Sequence, residues 1–385
     1  MISYGHQDVT QSDIDAVVEV LRSEFLTQGP AVPRFEQALA RQCGAKHAIA
    51  VSSGTSALHL ACMALDLNPG DLLWTVPNTF VASANCARYC GADVDFVDID
   101  GATWNLSVAA LRDRLIRAKR SGRLPKVLVP VHFAGQPTQQ EAIWELAAEF
   151  GFKVLEDAAH SLGASRYDEP VGSCKWSHIT IFSFHPVKII TTAEGGAAVT
   201  NDEELAWRMG MLRTHGITRD PSRMREQPEG RWSYEQLALG YNYRMTDLQA
   251  ALGLSQLPRL MGYIARRNEL ARRYDALLAG LAVQRPVVLP HTTSAFHLYV
   301  VRLKLEAIRS TRRALIDAMV AAGVGVNVHY TPVHLQPYYR RLGFGPGLCE
   351  EAERYGLEAL TLPIHPGLTE TDQDYIAHTL ERNLV

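Results

Sequence analysis

No stretch of this 385-residue chain approaches the roughly 20 consecutive apolar residues that a membrane-spanning helix needs. The opening Met1-Ile-Ser-Tyr-Gly-His-Gln-Asp8 has no basic segment followed by an apolar one, so no secretory signal is read there and a cytoplasmic location is expected. A charge surplus is also missing. The 38 Lys and Arg against 41 Asp and Glu leave a formal −3, which gives neither nucleic acid nor a membrane surface a reason to bind. Any anionic ligand must then be held by local donors. Cysteine is sparse: the six stand at Cys43, Cys62, Cys86, Cys90, Cys174 and Cys349. Cys86 and Cys90 could share a helix face, but no second pair completes a zinc site, and buried free thiols are expected. A Gly-x-Gly-x-x-Gly turn is absent after the first strand candidate, where Ser52-Ser-Gly-Thr-Ser-Ala57 stands instead, which argues against a nicotinamide dehydrogenase. There are no internal repeats and no low-complexity tract.

What is present is alternation. Between about residues 45 and 200, β-rich runs at 48–51, 72–75, 94–97, 126–131, 153–156, 179–182 and 197–200 alternate with helical patterns at 56–65, 79–90, 108–117 and 139–150. This rhythm predicts an α/β fold with a mostly parallel sheet covered by helices on both faces. Ligands of such sheets gather at the strands' carboxyl ends, where Ser53, Asp157 and Ser183 would lie. Residues 217–233, rich in arginine and proline, read as an exposed loop. A long helical pattern from Thr246 to Ala279 should break at Pro258 and act as a spine. The remainder predicts a small α+β domain with strands at 298–303 and 324–329 and helices at 311–322 and 371–382. The division expected is 1–245 for the large domain and 246–385 for the small one.

The chemistry concentrates around one lysine. Phe182-Ser-Phe-His-Pro-Val-Lys188-Ile-Ile-Thr-Thr-Ala-Glu-Gly-Gly196 puts Lys188 between a strand and a glycine-closed turn. Asp157 ends the neighbouring apolar run Phe152-Lys-Val-Leu-Glu-Asp157-Ala-Ala-His160. A lysine in an apolar setting facing a carboxylate suits pyridoxal phosphate: the amine joins the aldehyde, and the acid keeps the pyridine nitrogen protonated. Taken singly, each residue has a plainer reading, Asp157 as a helix cap and His160 as a packed histidine. Gly54-Thr55, opening a helix after a strand, offers free N–H groups to a phosphate. Phe80 could stack on a flat ring, Ser183 could donate to the phosphate, and His185 could line the site or merely pack.

As a set, Ser-Phe-His-Pro-Val-Lys188, Glu-Asp157-Ala-Ala-His160, Gly54-Thr-Ser-Ala-Leu and Gly240-Tyr-Asn242-Tyr-Arg-Met resemble the DegT/DnrJ/StrS aminotransferases of nucleotide-sugar biosynthesis, over essentially the whole chain. The resemblance implies fold type I of the pyridoxal phosphate enzymes (aspartate aminotransferase-like) and a homodimer with sites at the subunit interface. It implies Lys188 as the Schiff-base lysine, Asp157 as the pyridinium partner, Phe80 as the stacking aromatic and His160 beside the ring. Gly54, Thr55 and Ser183 would be phosphate contacts, joined by Asn242 reaching in from the other subunit. Thr27, His185, His329 and Tyr330 are the candidates for sugar binding. The motifs are most similar to the branch serving pseudaminic acid formation, which implies L-glutamate as donor and a UDP-linked 4-keto-6-deoxy-N-acetylhexosamine as acceptor. Ala193 stands where many members have Gly, and Ser53 where many have Asn. Lys188 separates the chain from related sugar dehydratases, which carry histidine there. The absence of a helix-turn-helix segment argues against a pyridoxal-binding regulator.

Overall fold

The computed structural model describes residues 1–384. Seven strands form the central sheet: β1 (His47–Val51), β2 (Leu72–Thr75), β3 (Asp93–Phe96), β4 (Val127–Val129), β5 (Lys153–Asp157), β6 (Ile179–Ser183) and β7 (Gly196–Thr200). Their order is β1-β7-β6-β5-β4-β2-β3. The pairings from β3 through β6 are parallel, while β7 runs antiparallel to both β6 and β1. The expected mostly parallel, mixed sheet is what forms. Its strands are buried on both faces, as continuous runs such as Ile179-Thr-Ile-Phe require.

Helices fill the crossovers. Gly54–Ala64 follows β1 with Ser53 as its cap, the Ser53 hydroxyl accepting from the Ser56 N–H at 3.1 Å. Ala82–Tyr89 follows β2, Val108–Ser121 follows β3 and Gln140–Phe150 follows β4. The spine is interrupted at Pro258, where a 3-10 turn over Leu257–Arg259 joins helices Asp247–Gln256 and Leu260–Leu277. Proline lacks the N–H that an uninterrupted helix would use. Thr246 and Gln249 cap the first of these helices reciprocally.

A second sheet, β8 (Val283–Gln284), β9 (Tyr299–Leu303) and β10 (Ala359–Leu362), is antiparallel in the order β8-β9-β10. It packs with helices Leu260–Leu277, Arg312–Ala321 and Glu370–Leu384 into a separate apolar cluster around Tyr274, Tyr299, Leu315 and Leu380. The strand expected at 324–329 does not form. Val324 bridges only Ile2, and Asn327 only Thr361. The N-terminal segment captures this stretch instead: Gly323 O accepts from the Ile2 N–H at 2.8 Å, and Ile2 O accepts from the Gly325 N–H at 2.7 Å. Two partners of one residue each leave no ladder. Of the exposed loop expected at 217–233, residues 219–233 are largely exposed, but Ile217 and Thr218 pair antiparallel with Gln236 and Glu235 and Thr218 is buried.

Candidate active site

The carboxyl ends of β1, β2, β4, β5 and β6 meet one edge of the sheet, and a cavity of about 590 Å³ opens there. Ten of the twelve residues singled out in the sequence line it: Gly54, Thr55, Phe80, Asp157, His160, Ser183, His185, Lys188, His329 and Tyr330.

Asp157 is the last residue of β5 and is buried. Its backbone is tied to the neighbouring strand end, donating to Pro130 O at 2.9 Å and accepting from the His132 N–H at 3.0 Å. Its carboxylate accepts from Ser83 Oγ at 2.6 Å and from the Ala159 N–H at 3.1 Å. Lys188 sits in a turn after β6, its N–H donating to His185 O at 2.9 Å. Burial pushes its amine down to about 8, with the Asp157 charge opposing that fall. The amine is thereby brought towards the range in which it is a usable nucleophile and base.

Around this pair stand imidazoles held neutral. His160 Nε2 and the Tyr330 hydroxyl lie 3.2 Å apart, and the two rings are near-parallel. Burial, with Lys188 and His329 adding to it, holds His160 well below the usual histidine range. The buried His160 Nδ1 has no partner. His329 Nδ1 lies 2.8 Å from Thr361 Oγ1, and burial plus Lys188 bring His329 down to about 4. The Tyr330 phenol is raised by burial first, then by Asp157 and Tyr4.

On the other side of the cavity, Gly54 and Thr55 present the first turn of their helix, whose N–H groups no helical carbonyl can accept. A Cβ on Gly54 would meet Ser183 Cβ at 3.0 Å, so glycine is what lets the turn close on Ser183. Gly196 is tighter, since a Cβ there would lie 2.4 Å from the Ser53 carbonyl. Phe80 is 59% exposed and leans over the opening, its ring 6.4 Å from that of Tyr330. Ala193 adopts φ 65°, the left-handed region where glycine carries no penalty.

Two singled-out residues are not brought to the cavity. Thr27 is exposed and bridges Thr246, because Asp247 anchors the adjoining turn through the Gly29 and Ala31 N–H groups at 2.8 and 2.7 Å. Asn242 is exposed, and its backbone bridges Thr214. Conversely, sequence reasoning overlooked Ser83, His297, Tyr4 and Glu194. Ser83 had a signal, since it lies one helical turn past Thr79 in the segment already marked by Phe80. His297, an isolated histidine before a strand, had none. Among the described residues no arginine lines the cavity.

The arrangement suits a flat heteroaromatic phosphate. An amine and a carboxylate share one cavity, free helical N–H groups and a hydroxyl stand together, and an orphaned imidazole nitrogen waits in the wall. Pyridoxal phosphate fits this donor set. The comparisons agree. Residues 7–381 match the DegT/DnrJ/EryC1/StrS aminotransferase family. A UDP-4-amino-4,6-dideoxy-N-acetyl-beta-L-altrosamine transaminase of Campylobacter jejuni is 37% identical over 99% of this chain and 96% of its own. The GDP-perosamine synthase of Caulobacter vibrioides is 38% identical over 100% and 98%. A sugar aminotransferase of Streptococcus pneumoniae, Spr1654, solved in PMP and PLP forms, superposes in its PMP form with a TM-score of 0.90, at 29% identity over 99% of this chain and 98% of its own. The chain therefore belongs to the DegT/DnrJ/EryC1/StrS aminotransferase family.

Proposed function

We propose that this chain is a pyridoxal phosphate-dependent aminotransferase that passes the amino group of L-glutamate to the 4-keto group of UDP-2-acetamido-2,6-dideoxy-β-L-arabino-hexos-4-ulose, a step towards pseudaminic acid, in the cytoplasm. The observation that carries the reaction class is the pairing of Lys188 and Asp157 in one cavity at the sheet's carboxyl edge. The choice of sugar rests on the Campylobacter relative.

The cofactor supplies an electron sink for the carbanion formed when the donor's α-proton leaves. The remaining work falls to the chain. Lys188 would hold the cofactor through its amine, and its Nζ would move a proton from the donor's α-carbon to the cofactor in one half-reaction and from the cofactor to the sugar's C4 in the other. Asp157, its carboxylate fixed by Ser83 and the Ala159 N–H, would hold a proton on the pyridine nitrogen. Gly54, Thr55 and Ser183 hold the phosphate, Phe80 covers one ring face, and His160 and Tyr330 flank the ring. His185, His329 and Glu194 form the rim towards the sugar.

A homodimer completes the site in this reading. Leu21, Phe25, Leu26, Trp232, Tyr234 and Leu239 are all exposed apolar side chains that a partner subunit would cover. Asn242 and Thr27, exposed and outside their own cavity, are then available to the partner's. Incubation with glutamate and a panel of keto nucleotide sugars, scoring 2-oxoglutarate, tests the assignment. Turnover of the UDP-linked 4-keto-6-deoxy-N-acetylhexosamine is expected. A second reading, favoured by the Caulobacter relative, predicts turnover of a GDP-linked 4-keto sugar instead. Release with none of the UDP-, GDP- or TDP-linked keto sugars would reject the nucleotide-sugar assignment.

A further inference from the structure

Beneath His160 lies a second buried imidazole that the reaction as described does not use. His297 is 5% exposed, and its ring centroid is 4.5 Å from that of His160. Its own Nδ1, like that of His160, is buried without a partner. A buried nitrogen left unpaired costs about 1–3 kcal/mol, so a histidine kept there needs a reason other than its hydrogen bonds.

The backbone that delivers His297 is fixed from two directions. From the large sheet, the turn after β4 receives it: Ala295 N–H donates to Gly135 O at 2.9 Å, and Leu298 N–H to Ala134 O at 3.2 Å. The approach is so close that a Cβ on Gly135 would stand 2.7 Å from Phe296 N and 2.9 Å from His297 N. Phe296 itself takes φ 41°, a conformation that persists only where the surroundings impose it. From the spine helix comes Arg267, 1% exposed and with no carboxylate partner. Its guanidinium donates instead to the carbonyls of Phe296 at 3.0 Å, His297 at 3.3 Å and Ile364 at 3.0 Å. An uncompensated buried cation is expensive. Here it ties the floor of the cavity to the segment following β10.

We propose that His297 is a positioning residue of the aminotransferase reaction: clamped by Arg267, it sets the plane of the His160 imidazole against the Lys188–Asp157 cavity and, through His160, the place of the Tyr330 hydroxyl. The proposal rests on the function proposed above and adds to it a residue in the wall of the same cavity that acts through His160. The charged and titratable groups facing His297 are Lys188, His160, Arg267 and His329. Burial first, then these neighbouring groups, hold the His297 imidazole well below the usual histidine range, so His297 is a neutral spacer and works by shape.

Three variants test this: His297→Ala, His297→Leu, which refills the volume without a nitrogen, and Arg267→Met. The first readout is the imidazole NMR signal of His160 in 15N-histidine-labelled apoprotein, which reports tautomer and order without cofactor or turnover. The second is the split between kcat and KM in the loaded enzyme. For His297→Ala the expected result is a broadened or shifted His160 signal and a kcat lower by about 10- to 100-fold, with the sugar KM little changed. His297→Leu is expected to restore most of both, and Arg267→Met to reproduce the His160 change of His297→Ala. An unaltered His160 signal in His297→Ala would overturn the proposal. So would a folded His297→Leu protein as slow as the alanine variant, since the nitrogen would then be acting directly. If the wild-type enzyme turned over no sugar, the proposed function would fall, while the apoprotein spectra would still decide the positioning.

Discussion

The free amine of Lys188 is the quantity on which the proposed chemistry turns, and its availability against pH follows from the structure. An ordinary lysine amine titrates at 10.5, and burial brings this one to about 8. At pH 7 the unprotonated fraction is then about 10%, against about 0.03% for an unperturbed lysine, roughly a 300-fold gain in nucleophile. Asp157 is the charge that holds the amine up, so Asp157→Asn should move its titration below that of the wild type. The assay is a brief pulse of acetic anhydride on the apoprotein at pH 6 to 11, with peptide masses giving the acetylated fraction at Lys188 and at an exposed reference such as Lys153. Labelling of Lys188 should rise about tenfold per pH unit up to about pH 8 and then level. A midpoint near 10.5 in the wild type, or an upward move in Asp157→Asn, would refute the reasoning. The same shift enters stability. The folded state resists protonating this amine, so folding carries a penalty of about 3 kcal/mol below pH 8 that shrinks as pH rises from 8 to 10.5. Lys188→Met apoprotein should accordingly be the more stable at pH 7 and lose that advantage near pH 10.5, as denaturant titrations at the two pH values would reveal.

Other perturbations have equally direct outcomes. Ser83→Ala removes a 2.6 Å hydrogen bond to the Asp157 carboxylate and should weaken pyridoxal phosphate retention by about tenfold or more, measured by absorbance titration of the apoprotein. Ala193→Gly relieves a left-handed alanine and should stabilise the fold by up to about 1 kcal/mol, read as a shift of the denaturation midpoint; a loss of stability would contradict the strain. Cys90 is half-buried beside Cys62 and His59, whose hydrogen bonds push its thiol down to about 6, while Cys62 is pushed up. At pH 7 iodoacetamide should therefore modify Cys90 before the other five cysteines, as peptide mass spectrometry would detect.

Much of the site was legible because its residues lie in short segments whose geometry is local. Ser52–Ala57, Asp157–His160 and Ser183–Lys188 each begin at the end of an apolar run, and a strand followed by polar residues puts those residues at one edge of a parallel sheet. The kink at Pro258 was legible for the same reason, since a missing N–H acts where it stands. The strand expected at 324–329 was not: its apolar alternation is real, but strand formation needs a partner of matching length, and the N-terminal residues took the pairing. Ser83 stood in a segment already marked by Phe80, but its hydrogen bond to Asp157 was hidden because it joins helix Ala82–Tyr89 to β5. His297 was hidden because nothing near it in the chain signals that Arg267 and Gly135 converge on its backbone.

Periodicity, proline and glycine placement, and a handful of motifs thus determined by themselves the α/β class, the family and the residues that gather around Lys188, since each depends on forces acting within a few residues. Which neutral imidazoles crowd that lysine, which hydroxyl holds Asp157, and the exposure of Thr27 and Asn242 outside their own cavity were decided only when distant segments packed. Burial and hydrogen-bond partners belong to the assembled chain, and they set an amine's proton affinity and an imidazole's plane.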